Sequence, residues 1–261
     1  MIKLENLEVV GWEHAVRGMR NPMNSWAKSD SAFKEATTCD YLDENDKPQE
    51  MTVWFDALGI GPNDHELMMK LAKAGPVHGK FRRMITVYVD ITAPLYFWKE
   101  FDTYKIGTTA NSCSTMHKIH AKEFTLEDFS HDKIIEFWTE TDSSLYMDDN
   151  GKYTFEKHPI IISGVDQFYS PLGVLTLNIK MLNKCRDLYL ETKDKKYWWQ
   201  MIQLLPSSYN QKRTVQLNYE VLANIYQYRK NHKLDEWREF CAWIEGLPYA
   251  EIITGAEEET E

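Results

Sequence analysis

The side chains with chemistry to offer sit in short polar runs, and the densest is Thr103-Tyr104-Lys105-Ile106-Gly107-Thr108-Thr109-Ala110-Asn111-Ser112-Cys113-Ser114-Thr115. That run is too polar for a core and lacks the proline of a linker, so it reads as a site loop. The run offers one cation, Lys105, several hydroxyls, the Asn111 amide and the Cys113 thiol. Cys113 has two readings. One is a nucleophile that attacks a ring, with His117 four residues on and no base beside it; the other is a spectator thiol.

Further along, the spacing predicts a helix over 214–229. Asn218 and Arg229, eleven residues apart, then share one face, with Asn224 turned about 120° away. Upstream, just after His78, Lys80, Arg82 and Arg83 form a basic cluster that is either a source of charge for an anion or a solvated strand edge. His117 and His120 are close, but no carboxylate partner motif accompanies them. Cys39, Cys113, Cys185 and Cys241 lack metal-site spacing, so no metal is expected and the thiols read as free.

These groups must be carried by a chain of 261 residues, 43% hydrophobic and 13% aromatic, which is enough for a sizeable core. Its 30 Lys and Arg against 40 Asp and Glu give a net charge of -10. Long-range repulsion then disfavours nucleic-acid polymers and anionic membranes, while a small anion in a local basic pocket stays open. With a charged N-terminus and no bilayer-length apolar stretch, a cytoplasmic protein is expected.

The pattern predicts a strand at Ile2 to Val10, a polar turn-rich stretch over 21–52, and a helix from His65 to Ala74 capped by Asn63-Asp64. A strand from Arg82 to Thr92 alternates strictly, with Ile85, Val87, Val89 and Ile91 on its apolar face. Ala93-Pro94 ends it and Leu95 to Phe101 begins an aromatic helical turn. Residues 139–170 read as loop-rich, followed by helices at 172–192, 197–205, 214–229 and 234–245. The expected class is α+β, one domain over 1–250 with an acidic tail over 251–261. Nine Trp and fourteen Tyr exceed the needs of one core; some are expected at a subunit interface or against a ligand ring.

The run Ala93-Pro94-Leu95-Tyr96-Phe97-Trp98-Lys99-Glu100-Phe101 resembles the strand-to-helix entry of flavin-dependent thymidylate synthases. In that family a signature Arg-His-Arg-x-x-Ser-x-x-Glu-x-Ser-x-Arg follows. Thr103, Tyr104, Lys105, Thr108, Asn111, Cys113 and Thr115 fall on it without a gap. His78-Gly79-Lys80 is similar to the family's His-x-Ser flavin contacts, and Asn218, Asn224 and Arg229 keep its Asn, Asn and Arg. After one deletion, His232, Glu236 and Arg238 resemble its His-Ala-Gln-x-Glu-Ile-Arg run.

The resemblance implies a central, mainly antiparallel sheet flanked by helices, a homotetramer, FAD as cofactor and a pyrimidine nucleotide as partner. If the chain is active, it further implies NADPH and methylenetetrahydrofolate as co-substrates in the reductive methylation of dUMP. It assigns Asn111, Cys113, Thr115 and Arg229 to the nucleotide. To the flavin it assigns His78, Lys80, Thr103, Tyr104, Lys105, Thr108, Asn218, Asn224 and His232. Thr103, Tyr104, Asn111 and Thr115 stand where the signature has Arg, His, Glu and Arg, and Glu220 stands where the family has a further Arg. Ordinary thymidylate synthesis is therefore expected to be low or absent. A changed reaction at pyrimidine C5, or a non-catalytic scaffold, are the other readings.

Overall fold

The computed structural model describes residues 2–42, 48–135, 141–147, 149–159 and 170–255. In chain order the elements are β1 (Lys3–Val10), α1 (Trp12–Arg20), β2 (Ala32–Leu42), β3 (Pro48–Gly59), α2 (Pro62–Lys73), β4 (Thr86–Pro94), α3 (Leu95–Phe101) and β5 (Thr109–Ser112). They continue with β6 (Thr141–Met147), β7 (Tyr153–Pro159), α4 (Pro171–Thr192), α5 (Lys195–Leu204), β8 (Asn210–Asn218), α6 (Tyr219–Arg229), α7 (Asp235–Glu245) and α8 (Glu251–Thr254).

The main sheet has the order β1-β4-β8-β5. β1 runs antiparallel to β4, from Lys3 opposite Thr92 to Val10 opposite Thr86, and β5 runs antiparallel to β8, with Thr109 opposite Gln216. At the start of β4 the Tyr219 N–H donates to the Ile85 carbonyl, and at its far end the Leu95 N–H donates to Tyr209, so β4 and β8 also run in opposite directions. The period-2 pattern of β4 explains why it is central: Ile85, Val87, Val89 and Ile91 are at most 1% exposed. Each contributes about 1.5–3 kcal/mol of apolar burial. This is the α+β, antiparallel class expected from the sequence.

The chain divides into two compact units. The first holds Met1–Thr92, Phe97–Ser112 and Lys212–Glu261. Here Phe97, Trp98 and Phe101 of α3 pack with Trp237 and Phe240 of α7, with Phe97 and Trp237 ring centres 4.5 Å apart. Part of the aromatic excess is thus spent inside this core. α1 and α2 are tied by a buried charge node. Arg20 Nε donates to Asp64 Oδ1 at 2.6 Å, and Asp64 Oδ2 accepts from the Ser29 and Ser31 hydroxyls at 2.6 and 2.7 Å. Burial pushes the Asp64 carboxyl up, but the Ser29, Ser31 and Arg20 hydrogen bonds outweigh it and hold the group below the usual carboxylate range.

The second unit holds Ala93–Tyr96 and Cys113–Gln211. It contains the antiparallel β6–β7 hairpin, α4 and α5, and its core is built of Ile119, Phe124, Phe129, Leu175, Leu182, Cys185 and Met201. Ser170 caps α4 by accepting the Gly173 N–H at 2.9 Å, and Asp194 caps α5 by accepting the Lys196 N–H at 2.9 Å.

Several expectations are corrected. The helix drawn over 214–229 is a strand up to Asn218 and a helix only from Tyr219, because Val215 and Leu217 alternate into the core with period 2. Arg82 and Arg83 lie in a 3-10 turn, Gly79–Arg83, before the strand rather than on its edge. α2 begins at Pro62, and Asp30, not Asn63-Asp64, meets its first N–H groups. The polar stretch over 21–52 holds β2 and the start of β3, and the segment read as loop-rich holds β6 and β7. Ile252 and Ile253 of α8 are buried, so residues counted with the tail belong to the body. The acidic run at 257–261, and residues 148 and 160–169 of the segment read as loop-rich, lie outside the described residues. Among the described residues no helix is long and apolar enough to cross a membrane.

Candidate functional site

In the first unit a cavity of about 800 Å³ opens between the end of α2, the Gly79–Arg83 turn, the Ile106-Gly107 step, α6 and α8. Its volume falls in the range of organic-ligand sites. Helix geometry explains how one element furnishes most of a wall. Glu220, Ala223, Asn224 and Gln227 recur at three- and four-residue spacing on one side of α6, and Asn218 and Lys230 extend that wall at either end. From 218 to 230 the wall runs about 18 Å at 1.5 Å per residue.

Asn218 closes the strand and caps the helix, its Oδ1 accepting the Val221 N–H at 3.1 Å. Its Nδ2 faces Gly107, which has φ +79°; a Cβ there would come within 2.8 Å of that nitrogen. A side chain at 107 would therefore crowd the cavity wall. The charges around the cavity are mixed. Arg82 is paired with Glu220 at 2.7 Å and the Glu251 carboxylate accepts from His65 Nε2 at 2.6 Å, while Lys73, Arg83 and Lys230 add positive charge. The balance favours an anion.

The signature positions are arranged differently. Thr103 is exposed and its hydroxyl donates to the Glu100 carbonyl at 2.7 Å; Lys105 is exposed; Thr108 has a buried hydroxyl with no hydrogen-bond partner among the described residues. Asn111 lies on β5, an exposed edge strand. Tyr104, Arg229 and His232 gather at Glu100. The Arg229 Nη1 donates to Glu100 Oε2 at 2.7 Å and its Nε to the Tyr104 hydroxyl at 2.9 Å, while its guanidinium lies 4.8 Å from the Trp237 ring centre. Trp237 Nε1 also donates to Glu100 at 3.0 Å, and His232 Nε2 is 3.5 Å away.

His78 and Lys80 are exposed at and just after the start of the 3-10 turn. Glu236 is buried on α7 and Arg238 pairs with Asp235. Cys113, an exposed free thiol, and Thr115, half-buried, belong to the second unit, where Gln211 Nε2 donates to the Cys113 carbonyl at 2.7 Å. Of the residues singled out by sequence, Asn218, Glu220 and Asn224 line the cavity, as do Arg82 and Arg83 of the basic cluster; Arg229 does not, and the helical face expected to join it to Asn218 does not form because Asn218 precedes the helix as its cap. Sequence reasoning missed Lys73, Gly107, Lys230 and α8 as wall, since they come from segments with no shared spacing. Gly107 alone carried a signal, as a glycine inside the polar run.

No family model matches the chain, and no curated protein matches its sequence. Solved structures do. Thymidylate Synthase X (ThyX) from Helicobacter pylori with FAD and dUMP superposes with a TM-score of 0.58 at 14% identity, covering 97% of each chain. The chain has the flavin-dependent thymidylate synthase fold. A UMP/dUMP methylase, PolB from Streptomyces cacaoi, bound with 5-Br dUMP, is similar with a TM-score of 0.55 at 12% identity over 98% of this chain and 94% of that one. Asn218 and Asn224 lie on the cavity wall of this chain, while Arg229 is engaged by Glu100.

Proposed function

We propose that the protein binds FAD and a pyrimidine nucleotide, with the α6 cavity as the principal ligand site. The observation that carries this reading is the wall of Asn218, Asn224 and Gln227 beside Arg83, Lys73 and Lys230, in a fold shared with proteins solved with FAD, dUMP or 5-Br dUMP. The residues fit a flavin nucleotide by charge, by an extent of about 18 Å along α6 and by the room left at Gly107. Asn218 and Asn224 would hold polar ring edges, and Arg83 and Lys230 would offset phosphate charge. When bound, the flavin would supply a hydride to a pyrimidine ring. This chain's residues position the ligands and set the local field.

Ordinary conversion of dUMP to dTMP is expected to be low or absent. Thr103, Asn111 and Thr115 bring no charge to the signature, Glu220 brings the opposite one, and Arg229 is already neutralised by Glu100. Each missing charge-assisted contact weakens binding by about 1.5–3 kcal/mol, about tenfold to more than a hundredfold. A changed reaction at C5 of a pyrimidine nucleotide is the second reading. It is favoured by a fold-mate described as a UMP/dUMP methylase. Assembly as a homotetramer and a cytoplasmic location belong to the proposal.

The test is a pair of titrations on purified protein: FAD followed by flavin absorbance and fluorescence, and dUMP or UMP by calorimetry. Saturable binding of both supports the reading; a colourless protein indifferent to FAD and to either nucleotide overturns it. Complementation of a thymidine-requiring strain adds the activity readout, with normal growth counting against the expected loss of thymidylate synthesis.

A further inference from the structure

Arg82 and Glu220 both line the cavity and hold each other at 2.7 Å, Nη2 to Oε2, with side chains only 10% and 21% exposed. The Arg82 Nη1 also donates to the Ile252 carbonyl at 3.3 Å. The guanidinium lies against Gly79, where a Cβ would be 3.1 Å from Nη2. Neither Arg82 Nε nor Glu220 Oε2 makes a hydrogen bond of good geometry among the described residues. The pair is thus held by charge more than by directional bonding, and it cancels the most deeply buried cation of the cavity wall. A buried charge that loses its partner is costly until another opposite charge replaces it.

We propose that Glu220 sets the anion affinity of the cavity by keeping Arg82 neutralised, so that phosphate recognition falls to Arg83 and Lys230 and ligand choice rests more on the rings than on charge. The inference rests on the reading of this cavity as the ligand site. Removing the Glu220 charge leaves Arg82 buried with the Ile252 carbonyl as its remaining acceptor among the described residues. An anion that enters then binds where the carboxylate was, and by linkage stabilises the fold more than it does in the parent protein.

Glu220→Gln keeps the shape and removes the charge. It is expected to melt below the parent in chloride buffer and to gain more melting temperature than the parent from inorganic pyrophosphate at equal ionic strength. It is also expected to bind dUMP and FAD at least tenfold more tightly, with deoxyuridine unchanged. Arg82→Gln combined with Glu220→Gln is expected to lose the extra gain from pyrophosphate. Should Glu220→Gln fail to fold in chloride, refolding in pyrophosphate but not in chloride supports the proposal, and failure in both overturns it. A parent that binds dUMP alongside a Glu220→Gln variant with unchanged dUMP affinity and no added response to pyrophosphate defeats this inference and leaves the proposed function standing. A parent that binds neither FAD nor nucleotide, alongside a variant that gains from pyrophosphate, defeats the proposed function and keeps the role of Glu220.

Discussion

Arg229→Ala separates an architectural arginine from one that contacts a ligand. In the structure the guanidinium is engaged on three sides: Glu100 at 2.7 Å, the Tyr104 hydroxyl at 2.9 Å and the Trp237 ring at 4.8 Å. A charge-assisted hydrogen bond contributes about 1.5–3 kcal/mol, and the cation over an aromatic face adds about 0.5–1 kcal/mol. Two features reduce the sum. Glu100 is 36% exposed and is rehydrated when Arg229 goes, and it keeps the Trp237 indole at 3.0 Å. The net loss is expected at about 2 kcal/mol, equivalent to about 4–8 °C in a chain of this size. Urea denaturation and calorimetry measure it, and a dUMP titration on the same protein sample is expected to show affinity within about threefold of the parent. A melting temperature unchanged within about 1 °C together with a dUMP affinity reduced more than tenfold would refute the reasoning and give Arg229 to the nucleotide.

Asp64→Ala is expected to destabilise the fold by about 3–5 kcal/mol in urea denaturation, because it leaves the buried Arg20 without its carboxylate. The same node sets an acid limb. The Asp64 carboxyl titrates lower in the fold than the unfolded value of about 3.9, so its contribution is complete above that pH and is lost as pH falls through the folded value. Stability measured from pH 5 down to pH 2 should therefore decline more gently in Asp64→Asn than in the parent. Gly107→Ala is expected to cost about 1–2 kcal/mol from the positive φ alone, checked by thermal unfolding, and to shift Asn218, checked by loss of FAD affinity.

How far the sequence discloses this protein depends on the range of the signal. β4 and α3 were legible because strict alternation followed by Ala93-Pro94 and an aromatic turn leaves one local solution, and α3 occupies the expected Leu95–Phe101. β8 was misread because Leu217, Val221 and Leu222 also satisfy a helical period; the β-branched Thr214 and Val215 before Asn218 were the cue that the strand runs first. The β2–β3 hairpin was hidden by charged and small residues in Ala32–Leu42 that give no clean alternation. For the site, Asn218 and Asn224 were reached through the family resemblance and not through helical spacing, which pairs Asn218 with Arg229 and turns Asn224 away; that geometry fails because α6 begins only at Tyr219. The Glu100–Arg229 bond links residues 129 apart, and the cavity joins Lys73, Gly107, Lys230 and α8, which no window of sequence brings together.

The central claim is that a flavin or pyrimidine nucleotide occupies the cavity along α6, and crystals soaked with FAD and dUMP test it most directly. The account predicts density along the Asn218, Asn224 and Gln227 wall, with phosphate groups toward Arg83 or Lys230. Saturating ligand with that cavity empty, or ligand bound on a surface away from α6, would contradict it.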